Sequence, residues 1–131
     1  MVHCLRRPVL QEVMVQIRQH GPNGELFDIT SFLGDIDHFF CVDQWRVRVW
    51  ECVGKEAIQV EPLTAEEQTL SDRDFRAMYR GVHQTIDGSF VALAGGHERC
   101  RLEAVDSSFW EITATPEFEA HMMAKYGRYG G

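Results

Sequence analysis

The chain has 131 residues, 44% of them apolar and 25% charged, with a formal net charge of −7. That length suits one domain able to bury a core without disulfide or metal support, and the composition excludes global disorder. No apolar run nears the roughly 20 residues of a membrane span, and the acidity disfavours contact with a nucleic-acid backbone.

The charge is uneven. Residues 1–20 carry Arg6, Arg7 and Arg18 against Glu12, so the acidity belongs to the remainder. A negative surface favours a basic partner and speeds its encounter. Met1 to Pro8 is followed by no apolar segment or small-residue cleavage site, so no secretory signal is read and the expected compartment is the cytoplasm. Cys4, Cys41, Cys52 and Cys100 form no C-x-x-C pair and are expected to stay free thiols there.

Pro8 to His20 admits two readings. Val9, Leu10, Val13, Met14 and Ile17 fit helical spacing, whereas Val13, Val15 and Ile17 alternate and are β-branched, which favours strand. The turn G-P-N-G then leads to a candidate hairpin partner at Leu26–Ile29. Ile29, Phe32, Leu33, Ile36, Phe39 and Phe40 predict a helix capped by Thr30 or Ser31, with Gly34 weakening it. Trp45, Val47, Val49 and Glu51 share one face of a strand, and Arg46, Arg48 and Trp50 the other. Gly54-Lys55 predicts a hairpin into Ala57–Glu61, stopped by Pro62.

Ser71 caps a second helix striped by Phe75, Met78, Tyr79 and Val82. Asp87-Gly88 predicts a hairpin turn, followed by strands at Phe90–Ala94, Arg99–Val105 and Phe109–Thr113. Thr115, Pro116 and Gly127 bound a last helix, and residues 128–131 are expected to be a flexible tail. The fold class is therefore α+β, a single domain over 1–131. Its mostly antiparallel sheet is built of hairpins, with two or three helices on one face.

The segment D-I-D-H-F-F-C-V-D concentrates Asp35, Asp37, His38, Cys41 and Asp43. On a helix, Asp35 and His38 share a face that Asp37 leaves, so the three do not converge. The expectation is a solvated edge, with no metal and no cofactor. His20, His83, His97 and His121 show no ligand spacing, and phosphate-loop and nucleophile-elbow motifs are absent. What remains is carboxylate-rich surface and the pair Trp45 and Trp50 on opposite strand faces, one joining the core and the other either covered by a helix, the reading favoured, or exposed as an anchor.

This pattern points to a small cytoplasmic binding or inhibitor protein acting through protein–protein contact, without catalysis of its own. A bacterial immunity protein neutralising a toxin is one concrete form. The binding residues expected are Asp35, Asp37, Asp43, Glu66, Glu67, Asp72 and Asp74, with Trp45 or Trp50 as the anchor. The alternative is a small hydrolase using His97, Glu98, His83 and the Asp35–His38 edge.

Overall fold

The computed structural model describes residues 14–55 and 57–130. Its elements are β1 (Val15–Arg18), α1 (Ile29–Phe39), β2 (Gln44–Gly54), α2 (Ala57–Leu63), β3 (Gln68–Ser71), α3 (Asp72–Tyr79), β4 (Val82–Ala94), β5 (His97–Val105), β6 (Phe109–Thr113) and α4 (Pro116–Tyr126). The strands form one antiparallel sheet in the order β1-β6-β5-β4-β2-β3. The α+β architecture is thus as expected. Cys4, Arg6, Arg7, Glu12 and the start of the ambiguous segment at Pro8 lie outside the described residues.

Strand alternation separates the sheet's faces. Trp45, Val47, Phe90, Ala92, Cys100, Leu102, Trp110, Ile112 and Ile17 turn to the helices and are buried. Rings then touch in sequence across the whole layer. Trp45 stacks on Phe75 at 4.5 Å, Phe75 meets Tyr79 at 5.4 Å, and Tyr79 meets Phe90 at 5.3 Å. Phe90 reaches Trp110 at 5.9 Å, which meets Phe32 of α1 at 5.3 Å and, through it, Tyr126 of α4 at 5.0 Å. One aromatic layer therefore fastens α1, α3 and α4 to the sheet, by burial and by edge contacts. The opposite face carries the ion-paired Arg46, Glu98 and Arg101, with Glu98 bridging the two arginines at 3.2 and 3.0 Å.

Several local expectations need revision. Ala57–Leu63 is a helix, not the second arm of a hairpin. Ala57 and Val60 pack on the core and Thr64 is buried, which is helical spacing, while β2 finds its partners in β3 and β4. Asp87-Gly88 is no turn, because β4 runs unbroken from Val82 to Ala94. Gly88 instead permits close strand approach: a Cβ there would lie 3.3 Å from the Arg48 carbonyl oxygen. Leu26 makes one bridge to His20 rather than starting a strand, since Asp28 opens α1. Gly127 and Tyr129 run along β1, with Arg18 N donating to Gly127 O at 2.9 Å and Tyr129 N to Gln16 O at 3.0 Å. Cys52 and Cys100 are buried free thiols, but Cys41 is exposed and disulfide-bonded.

Asp28, rather than Thr30 or Ser31, caps α1, with Ser31 completing a reciprocal capping box. Its buried carboxylate accepts from Ile29 N at 2.8 Å, from Thr85 N at 2.7 Å and from Thr85 Oγ1 at 2.9 Å. Tyr79 Oη bonds the same Thr85 hydroxyl, and Gln19 Nε2 donates to Thr85 O at 2.7 Å. Asp28 therefore ties the start of α1 to the middle of β4, and Thr85 ties both to α3.

Candidate functional site

The sequence placed Asp35 and His38 in solvent together; the structure parts them. Asp35 faces inward from α1 and is 5% exposed, while Asp37 and His38 are exposed. Asp35 Oδ1 is 2.7 Å from His121 Nε2 and accepts from Lys125 Nζ at 2.8 Å, and Oδ2 accepts from Tyr126 Oη at 2.6 Å. The donors at 121, 125 and 126 all belong to α4, so one carboxylate pins α4 to α1. Burial pushes the Asp35 pKa up. The bonds from His121, Lys125 and Tyr126, with the Lys125 charge, outweigh burial and hold it below the ordinary carboxylate range. Burial and the adjoining Asp35 raise the Tyr126 pKa, so that hydroxyl keeps its proton and donates.

Replacing Asp35 with Asn is expected to destabilise the fold by about 1–2 kcal/mol at pH 7, since half-exposed Lys125 and His121 can rehydrate. A carboxyl whose folded pKa is depressed stabilises above its unfolded value, about 3.9, and that contribution fades as pH falls through the folded value. Urea titrations should therefore show the gap between wild type and Asp35→Asn narrowing below pH 4. A gap independent of pH would show that the charge is immaterial.

The other expected binding residues divide between internal and surface roles. Trp45 is fully buried and its Nε1 donates to Asp72 Oδ1 at 2.8 Å. Arg76 Nε donates to that same Asp72 oxygen at 2.9 Å, and the Arg76 fork grips Asp37 at 2.6 and 3.0 Å, joining α1 to α3. Asp43 Oδ2 accepts from Gly95 N at 3.1 Å and so braces the β4–β5 turn. Glu66 and Glu67 are exposed on the loop between α2 and β3, and Asp74 is exposed beside Arg73.

Trp50 is the exposed tryptophan, with 52% of its surface open. The Arg48 guanidinium lies 5.0 Å from its ring centre, and Arg48 Nε donates to Ala65 O at 3.2 Å. That bond brings the loop carrying Glu66 and Glu67 alongside the indole. Exposed Glu51 and Val53 follow Trp50 in β2, and α2 folds back along β2 through bonds from Val49 N to Thr64 O at 3.3 Å and Cys52 N to Glu61 Oε2 at 2.8 Å. An apolar ring steadied by a cation and edged by carboxylates has the chemistry of an interface anchor.

The hydrolase residues do not converge. His83 lies near the start of β4 and His97 just beyond its end, and the eleven steps from His83 to Ala94 span about 35 Å at roughly 3.3 Å per residue along the strand. Glu98 is held in its two arginine pairs. Burial, then Glu61 and Asp28, push the Cys52 thiol up to about 11, so it stays protonated near neutrality. Among the described residues no three His, Cys, Asp or Glu side chains gather as a metal site, and no helix is long and apolar enough to cross a membrane. Comparison with known proteins gave no matching family model, curated protein or solved structure.

Proposed function

We propose that the chain is a protein-binding module, acting as an inhibitor of a partner with a basic surface. The partner docks on Trp50, and Glu51, Glu66 and Glu67 form the rim. The observation that carries this reading is the half-exposed indole at the register shift of β2, beneath the Arg48 guanidinium and beside the loop that bears Glu66 and Glu67. A ring held in one orientation loses little freedom on binding, which is what an affinity anchor requires. The net charge of −7 adds long-range attraction for a cationic partner. Neutralising a toxin is one form such inhibition takes, and the cytoplasm is the compartment in which we place it.

The full-length chain, tagged and incubated with lysate from its source cell, should retain a partner that mass spectrometry identifies. Trp50→Ala should weaken that complex by about 30-fold, or about 2 kcal/mol. Glu66→Gln with Glu67→Gln should chiefly slow association and flatten its salt dependence. A partner held equally well by folded Trp50→Ala overturns the proposal.

A further inference from the structure

A second surface lies on the other side of β4, away from Trp50. There a hollow of about 440 Å³ is lined by Arg18, His20, Ser107, Ser108, Tyr129 and Gly130. Its walls are the end of β1, the β5–β6 turn and the chain end. The turn is fixed in place: Ser107 N donates to Ile86 O at 3.0 Å and Asp106 N to Asp87 Oδ1 at 2.9 Å. Asp106 and Ser107 hold left-handed φ values of 50° and 60°.

Arg18 is the notable lining group. Arg46, Arg73, Arg76 and Arg101 each pair with a carboxylate, whereas Arg48, Arg80 and Arg128, like Arg18, show no such pair among the described residues. Half-buried Arg18 lines the hollow, and among the described residues its guanidinium has no carboxylate partner, in a chain with 20 acidic residues. It lies across Gly127, where a Cβ would come within 3.3 Å of its Cδ, Nε and Cζ, so glycine leaves room for this pose.

Two further polar groups accompany it. His20 Nε2 is 3.3 Å from Ser107 O, which can only accept, so Nε2 carries a proton and Nδ1 is left for a ligand. Ser107 Oγ accepts from Gln84 Nε2 at 2.9 Å, which leaves its own hydrogen to donate. Tyr129 stacks on Phe109 at 4.6 Å and provides a flat apolar wall.

We propose that this hollow binds a small phosphate monoester. Its phosphoryl oxygens accept from the Arg18 fork and the Ser107 hydroxyl, its protonated phosphoryl oxygen donates to His20 Nδ1, and its organic part lies on Tyr129. Polar groups from the end of β1 and from the β5–β6 turn match a tetrahedral group with several oxygens, one of which can carry a proton, whereas a planar carboxylate is satisfied by the arginine fork alone. The volume falls in the range of small-molecule sites.

The test is an amide chemical-shift titration of the full chain with phenyl phosphate, inorganic phosphate, benzoate and sodium chloride at matched ionic strength. Saturable shifts at Arg18, His20, Ser107, Ser108 and Tyr129 are expected, with phenyl phosphate binding more tightly than inorganic phosphate or benzoate. Arg18→Met should weaken binding by about tenfold or more, and Arg80→Met, at the end of α3, should leave it unchanged. Should Arg18→Met fail to fold, His20→Gln takes its place and should also weaken binding. Non-saturable shifts, equal shifts from chloride, benzoate binding as well as phenyl phosphate, or full affinity in a folded Arg18 or His20 variant would each overturn the proposal.

Discussion

Trp110→Ala is expected to destabilise the fold by about 4 kcal/mol, the range found when a large buried aromatic is truncated. Trp110 is fully buried on β6, between Ile17 of β1 and Ala104 of β5. It is the link in the aromatic layer between the β4 side, through Phe90, and the α1 side, through Phe32. Its Nε1 donates to Phe27 O at 3.0 Å, in the segment that leads into α1. Truncation opens a cavity and also leaves that carbonyl without its donor. In urea the midpoint should fall by about 2 M, for an m-value near 2 kcal/mol/M. Trp110→Phe keeps most of the ring but not the donor, and should lose about 1–2 kcal/mol. A loss under 1 kcal/mol for Trp110→Ala would show that the layer closes over the gap and that the two halves hold independently.

Asp28→Ala is expected to lose about 3 kcal/mol, because three donors lose their acceptor and two of them are backbone or hydroxyl groups of buried Thr85. Asp28→Asn is the sharper test. Oδ1 accepts two bonds and Oδ2 one, so whichever oxygen becomes an amide NH₂ faces a donor. Asn, usually as good a cap as Asp, should here lose about 2 kcal/mol. Burial raises the Asp28 pKa, and the bonds from Thr85 and Ile29 oppose that rise without cancelling it. The carboxylate is thus an expensive group to bury, kept by the donors around it. Wild-type stability in Asp28→Asn would mean the site relaxes to admit an amide donor.

Features set by neighbouring residues were legible in the sequence. Thr115, Pro116 and Gly127 bound α4 as read, because caps and stops act within one turn. Ser71 and the strands around Gly95-Gly96 were read for the same reason. The errors arose where a distant contact outvoted a local signal. Ile58 and Val60 fit a strand, but α2 forms because Val60 and Thr64 bury together against β2. Asp87-Gly88 is a strong turn signal, yet Gly88 serves strand approach and Asp87 serves the turn at Asp106. Of the surface, alternation put Trp45 and Trp50 on opposite faces without telling which lay outside, and the fate of Asp35 was not readable at all. Its three donors lie 86 to 91 residues away, and no spacing rule reaches that far. His20, Arg18 and Ser107 likewise meet only through the sheet order.

The outer rims of the sheet are closed unevenly. Gly127 to Tyr129 zip along β1, and Thr64 and Glu61 occupy the β2 backbone beyond its pairing with β3. The rim left at β3 is four residues long. A rim that short offers little template for a neighbouring chain to extend, so concentrated solutions should resist fibril growth by strand stacking. Removing the final residues would bare the β1 rim and abolish that safeguard.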